Sequence, residues 1–408
     1  MKVTGPSGEP AEPAVAYLDN ACLGRLDSEV AARARAMVSD IESTLVPPTD
    51  LVVELYETYP RARAAAAALV GVQPERIALV ESTSHALGMV AAAMPLRSGD
   101  NVLVCDLEFC PSALCWAARA DTVDMEVRPV HTTGGRLTVS DFECCIDERT
   151  RAIVVSAVQE INGFRAPIAG LCRMAHAAGI MVIVDGVQEV GCLQVDLGGS
   201  YDECPDVYCA GGHKWLRNPF GTGFMCVHPH ALDILKPTFY GYFNTAEPET
   251  GWGGYLASPE RTPFDRLPII PTAQVFETGG MGNFLGAAVL AASIEASLRL
   301  GVAEVEGRVT ALGDRLLEGV DKLGLELRSS REAGERSGIT AFGLPGGPPA
   351  ELRLNAHLTS RRVYVSVRYT SGVGGVRISP HSFNTFADVD RLLDETAAWL
   401  ALEKKCVQ

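Results

Sequence analysis

Apolar and polar positions along the chain alternate between two patterns. Short, mostly apolar runs recur at 77–80, 101–105, 125–130, 152–158, 181–184, 207–210 and 224–227. Runs of that length, rich in Val, Ile and Leu, predict strands buried on both faces. Longer stretches with helical spacing lie around them, at 28–41, 49–70, 88–95 and 168–178. Strand and helix by turns predicts an α/β fold with a mostly parallel central sheet flanked by helices, its sites at the strand C-termini. Helices follow at 283–298, 303–324 and 386–402, with a cleanly alternating strand at 363–367. This part predicts a smaller C-terminal α+β domain. The expected division is a flexible tail over 1–16, a large domain over 17–283 and a small domain over 284–408.

Two stretches break the pattern. Residues 331–350 are rich in Gly and Pro turns. Residues 240–271 carry Gly, Pro and the aromatics Tyr240, Tyr242, Phe243, Trp252, Tyr255 and Phe264 without periodicity. A long loop of this kind is expected to line a pocket or a subunit interface.

Composition narrows the partners. Of the 408 residues 47% are hydrophobic and 21% charged, as in globular proteins. A net charge of −15 argues against nucleic acid and anionic membrane surfaces, which select basic patches. No apolar run is long enough to span a bilayer. The polar, Pro-rich start has neither a basic region nor an apolar core of a signal peptide, so a cytoplasmic protein is expected. Twelve cysteines contain no C-x-x-C pair, and most sit in apolar surroundings. They read as small core hydrophobes, not as metal ligands or disulfides.

The candidate chemistry centres on residues 210–223, where Lys214 sits among small, turn-forming residues between apolar runs. Upstream, the run at 181–184 ends in Asp185. Singly, each residue is ordinary: a solvated lysine, a capping aspartate. Together they suggest pyridoxal 5′-phosphate (PLP) chemistry, in which a lysine condenses with an aldehyde and an aspartate holds a protonated pyridine nitrogen. Ser82, Thr83 and Ser84 follow a strand and open a helix, which makes an anion site of hydroxyls and free N–H groups. No Gly-x-Gly-x-x-Gly nucleotide motif has the required spacing.

Asp185-Gly186-Val187-Gln188 followed by Gly212-His213-Lys214-Trp215 resembles the class V aminotransferase family of fold-type I PLP enzymes. That family includes cysteine desulfurases, isopenicillin N epimerase-like proteins and cysteine-conjugate C–S lyases. The resemblance runs over residues 17–400, and its motifs identify the family without choosing a reaction. It implies that Ser82, Thr83, Ser84 and His213 contact the phosphate. Asp185 then faces the ring nitrogen, Gln188 donates to the ring oxygen, and Lys214 is the catalytic amine. Phe109 stacks on the ring where desulfurases carry His, and gives no proton. Asn20 and Ala21 line the substrate pocket, and Arg377 clamps the α-carboxylate. Two positions depart from the pattern. Glu160 stands where the family has an Asn on the ring oxygen, and is expected to face substrate instead. Gly280 stands where the family has a Thr that reaches the partner subunit's phosphate, leaving a backbone N–H or Thr278 to serve. The resemblance implies a homodimer with shared active sites.

Lys214, once free, is the natural base at Cα of an amino-acid substrate. Residues 369–375 hold no cysteine, which desulfurases need just before the arginine. The pattern is similar to isopenicillin N epimerase-like proteins of natural-product pathways. Expected first is β-elimination of a cysteine S-conjugate, as in lincosamide-type antibiotic assembly. Decarboxylation-coupled deamination of the same substrates comes next, then transamination or epimerisation. A non-catalytic PLP-fold subunit is the remaining alternative; Lys214, Asp185 and Arg377 together speak against it.

Overall fold

The computed structural model describes residues 15–43 and 47–407; most of the expected tail lies outside them. In chain order the strands are β1 (Ala16–Tyr17), β2 (Ile77–Val80), β3 (Asn101–Cys105), β4 (Glu126–Val130), β5 (Thr150–Ser156), β6 (Met181–Asp185), β7 (Val207–Gly211), β8 (Gly223–Val227), β9 (Glu326–Leu327), β10 (Thr340–Gly343), β11 (Val363–Tyr364), β12 (Ser366–Thr370) and β13 (Val373–Ile378). Seven of them form the central sheet, in the order β2-β8-β7-β6-β5-β3-β4. The strands β4, β3, β5, β6 and β7 are parallel, and β8 runs antiparallel to both neighbours. Every residue of β3, β6 and β7 is buried. That is the physical meaning of the unbroken apolar runs: helices cover both faces. β4, with Glu126, Arg128 and Pro129, is an edge strand, where a missing N–H is tolerated.

The smaller part carries an antiparallel sheet in the order β12-β13-β10-β9. β1 pairs in parallel with β11, so the N-terminal strand belongs to this part. Ala16 and Leu18 share a core with Leu316, Leu354, Val376 and Trp399. The expected boundary at 283/284 needs correction. Helix Phe284–Leu300 packs on helix Thr58–Val70, and its Ala287, Leu290, Ala291 and Ile294 join the core of the central sheet. The packing divides near Gly301, whose φ of 89° favours glycine.

Three local expectations change. The single helix expected over 49–70 is two, Pro48–Tyr56 and Thr58–Val70. Pro60 has no N–H to offer the Tyr56 carbonyl, which breaks the ladder there. Residues 240–271 are not bare loop. They hold a helix, Gly251–Ala257, and an aromatic cluster in which Trp252 meets Tyr242, Phe243 and Tyr255 edge-on. The turns expected over 331–350 contain β10 and the start of helix Gly347–Ser360. Among the described residues no single helix is long and apolar enough to cross a membrane.

The segment after β1 crosses from the small sheet to the lysine loop as a strap. Gly24 N–H donates to the His213 carbonyl at 2.8 Å. A Cβ on Gly24 would lie 1.8 Å from the Lys214 carbonyl oxygen, a backbone atom that cannot turn aside. Gly24→Ala is therefore expected to lower stability by about 2 kcal/mol or more. Gly88, inside helix Thr83–Ala93, has nothing within 4 Å of an added Cβ. Gly88→Ala is expected to raise stability by about 0.5–1 kcal/mol. Thermal melts of the two variants check both signs, and equal shifts would contradict the close approach at Gly24.

Candidate active site

The C-terminal ends of β5, β6 and β7 put Ser156, Asp185 and Cys209 side by side, with Gly211 closing β7 two residues on. Lys214 follows β7 on a tight loop. Arg217 N–H donates to the Lys214 carbonyl, and Asn218 N–H to the Gly212 carbonyl, both at 2.9 Å. Trp215 anchors the loop from inside: it is fully buried, and its Nε1 donates to Gln188 Oε1 at 2.9 Å. The buried His381 holds the Trp215 carbonyl through Nε2 at 2.9 Å, while its Nδ1 accepts from Ser382 N–H. Burial lowers the His381 pKa to about 4, so the ring stays a neutral spacer.

Asp185 is 6% exposed and accepts one hydrogen bond, from Val187 N–H at 2.9 Å. Burial pushes its pKa up to about 6, against the Val187 N–H and the Lys214 charge, which lower it; Glu160 adds to the rise. Burial pulls the Lys214 amine below its ordinary value, while Asp185 and Glu160 oppose and Arg377 assists. Asp185 is thus the main group keeping Lys214 charged, while Asp185 is kept charged first by the Val187 N–H and then by Lys214. The Lys214 Nζ lies 5.9 Å from the ring centroid of Phe109, which is 47% exposed on the loop after β3.

The helix Thr83–Ala93 starts beside this loop. Ser82 caps it by accepting from His85 N–H at 3.1 Å. The buried Thr83 accepts from Gly211 N–H at 2.8 Å, fixing the helix start to the end of β7; Ser84 is exposed. A Cβ on Gly211 would meet His213 Nδ1 at 3.1 Å and Thr83 Oγ1 at 3.2 Å. A hydroxyl and an imidazole therefore meet over a glycine, beside the start of the helix. Burial holds the His213 pKa down at about 4, with the Lys214 charge assisting, so its ring is neutral. A phosphate fits this cradle, an aldehyde fits Lys214, and a pyridinium fits Asp185, which has one hydrogen bond for two oxygens.

Arg377 is on β13, 1% exposed. Its Nε donates to Ser366 Oγ at 3.2 Å, and one terminal nitrogen to Asp19 Oδ1 at 3.1 Å. The other terminal nitrogen donates to both the carbonyl and the side chain of Glu160, each at 3.1 Å. Glu160, expected to face substrate, thus spends its carboxylate on the residue expected to clamp substrate.

Three other expectations are changed by burial. Gln188, expected to donate to a ring oxygen, gives its Nε2 to the Ala21 carbonyl at 3.0 Å and its Oε1 to Trp215. Both ends of the amide are used in fastening the strap to the lysine loop. Asn20 and Ala21, expected along the substrate pocket, are 0% and 1% exposed. Asn20 Nδ2 donates to the Ser379 carbonyl and Ala21 N–H to Ser379 Oγ, both at 2.9 Å. They fasten the strap to the end of β13. Gly280 and Thr278 lie elsewhere, on the wall of a groove of about 880 Å³ lined by Tyr56, Tyr242, Phe243 and Trp252.

Glu108 escaped the sequence reading. It is buried after β3 and accepts from Ser156 N–H and Gln159 Nε2 at 2.7 and 2.8 Å, and from Ser156 Oγ. It ties the Phe109 loop to the end of β5, next to Asp185. The acid that closes the apolar run of β3 is Asp106, so strand patterning does not single out Glu108, three residues past Cys105. Burial pushes the Glu108 pKa up to about 7, above its ordinary value of 4.5. The folded state therefore holds this proton more tightly than the unfolded chain. The stability it contributes is full below about pH 4.5 and is lost as pH rises through 7. Glu108→Gln can keep every partner, its oxygen accepting and its nitrogen donating to Ser156 Oγ. Melts at pH 5 and pH 8 are expected to show the wild type losing ground to Glu108→Gln as pH rises. A gap that stays constant, or moves the other way, contradicts the buried acid.

The chain has relatives among known proteins. The family model for class V aminotransferases matches residues 16–392. Isopenicillin N epimerase from Streptomyces clavuligerus is 30% identical over 342 residues, 82% of each chain. A probable cysteine desulfurase from Methanothermobacter thermautotrophicus is 25% identical over 368 residues, 86% of each chain. Among solved structures, the cystine C–S lyase C-DES with its product cysteine persulfide superposes with a TM-score of 0.82 at 18% identity, covering 94% of this chain and 97% of that one. The apo cysteine desulfurase of Thermococcus onnurineus NA1 gives 0.80 at 21% identity, covering 94% of each. The expected fold-type I architecture is thereby shown, and with it the cofactor, PLP. The match over residues 16–392, with a relative 30% identical over 82% of the chain, makes this protein a member of the class V aminotransferase family, a PLP-dependent enzyme that acts on amino acids.

Proposed function

We propose that the enzyme cleaves the C–S bond of cysteine S-conjugates by β-elimination, as a step of natural-product assembly of the lincosamide type. The observation that carries this reading against sulfur transfer to the protein is the turn before Arg377. β12 and β13 pair up to Thr370 and Val373, leaving a two-residue turn, Ser371-Gly372, with φ of 49° and 77°. Ser371 Oγ fastens the turn by donating to the Asp106 carbonyl at 2.7 Å. A tight, pinned hairpin without a thiol cannot carry a sulfur nucleophile to the substrate.

PLP, when bound, draws electrons from Cα of the amino acid it holds. The chain's own groups do the rest. Asp185 stands for the ring nitrogen, and Thr83, Ser82, Ser84 and His213 for the phosphate. Phe109 offers a face without a proton. Lys214, with its amine pulled below the ordinary lysine value by burial, is poised as the base that takes the Cα proton. The C–S bond then breaks with its electron pair on sulfur, which leaves as a thiolate. The carbon skeleton, released as 2-aminoacrylate, hydrolyses to pyruvate and ammonium. Arg377 orients the α-carboxylate. Thr278 and the Gly280 backbone, on the aromatic groove, are positions for a partner subunit's phosphate, and we infer a homodimer on that ground.

Epimerisation is a second reading, favoured by the 30% identity to isopenicillin N epimerase. It needs a proton returned to the opposite face, which Phe109 cannot supply. With S-methylcysteine the holoenzyme is expected to form methanethiol, pyruvate and ammonium in equal amounts. Lys214→Ala is expected to lower kcat by about 10³-fold or more. Exchange of the Cα hydrogen with solvent deuterium while sulfur is retained would sink β-elimination in favour of epimerisation. Carbon dioxide with an aldehyde would sink it in favour of decarboxylation.

A further inference from the structure

The carboxylate clamp is already engaged by the protein's own acids. Arg377 carries one positive charge, and its guanidinium meets two carboxylates, Asp19 and Glu160, at 3.1 Å each. Both acids are 15% exposed at the side chain, against 1% for the arginine. Asp19 is held further by Ser366 Oγ, which donates to it at 3.0 Å. Among the described residues, Glu160 has no such second tie to its carboxylate. Its backbone is fixed by the surrounding turn, in which Gln159 N–H donates to the Phe164 carbonyl and Gly163 N–H to the Gln159 carbonyl, both at 2.9 Å. The side chain of Glu160 is therefore the part of this cluster free to turn away. Its charge is felt by both Lys214 and Asp185, raising the pKa of each.

Charge decides what such a site admits. An α-carboxylate entering the fork adds a third negative charge around one guanidinium. In a partly desolvated site that repulsion is costly unless Glu160 leaves and finds another cation. A substrate with a neutral side chain brings none. A substrate whose side chain ends in an ammonium or guanidinium brings one, and draws Glu160 off the arginine as its carboxylate arrives.

We propose that Glu160 is a specificity-determining residue that occupies part of the Arg377 fork and selects amino acids whose side chain carries a cation. The inference rests on Arg377 acting as the α-carboxylate clamp. It deepens the reading above by naming the substrate class: cysteine conjugates with a positively charged S-substituent.

The test compares three conjugates on the holoenzyme: S-(2-aminoethyl)cysteine, S-methylcysteine and S-carboxymethylcysteine. Dissociation constants are read from the change in cofactor absorbance, and kcat and KM from thiol release. Wild type is expected to bind the cationic conjugate about tenfold more tightly than the neutral one, and the anionic one most weakly. Glu160→Gln keeps the acceptor oxygen and loses the charge. It is expected to compress the cation-to-neutral ratio to about twofold, through tighter binding of the neutral and anionic conjugates, with the change in KM and not in kcat. Glu160→Asn provides a second neutral variant should the first fail to fold. A wild type blind to side-chain charge, or neutral variants that keep the full ratio, would overturn the proposal. The two readings fail separately. If binding follows charge but no conjugate yields thiol, β-elimination falls and Glu160 stands; if thiol forms without regard to charge, Glu160 falls and β-elimination stands.

Discussion

Asp185 and Lys214 share a region of low dielectric at the C-terminal edge of the central sheet. Burial alone would protonate the acid and deprotonate the amine. Each opposes that outcome in the other, and the arrangement holds only while both stay in place. This explains how heavily the lysine loop is fastened. Trp215 is gripped from the β6 side by Gln188 and from the small sheet by His381. The strap at 19–24 links the loop to β13 through Gly24 and Ser379. A loop left to solvent would relax toward an ordinary, protonated lysine, and the pair would lose its function.

The same edge gathers groups far apart in sequence because a parallel sheet brings all its strand ends to one side. Glu108, Ser156, Asp185 and Gly211 close four different strands, or follow them. Arg377 reaches the edge from the other sheet, so the site is a seam between two bodies. β1 and the strap cross that seam. Asn20 and Ala21, which the resemblance places along a substrate pocket, hold the halves in register through Ser379.

Local patterns made the strands legible, since burial on both faces leaves little but Val, Ile, Leu and Ala to read. They also exposed the Lys214–Asp185 pair, each residue standing at the end of such a run. What local patterns could not show was how polar side chains choose partners across long separations. Gln188 has Ala21 and Trp215 within reach, and the sequence gives no hint that both ends of its amide are used. Glu160 and Arg377 looked like two independent substrate contacts until the fold put one on the other. The helix break at Glu57 follows from Pro60, whose missing N–H outweighs the Ala-rich helical spacing of that stretch. The boundary near Gly301 was hidden for a different reason: helix Phe284–Leu300 is apolar nearly all round, and periodicity cannot say which body it covers.

The account turns on which amine meets the cofactor. Borohydride reduction of the PLP-loaded enzyme, followed by peptide mass spectrometry, answers this directly. A reduced pyridoxyl mass on Lys214, absent without prior PLP loading, is the predicted result. A label on any other lysine, or an unlabelled position 214 in protein that has taken up PLP, would contradict the account.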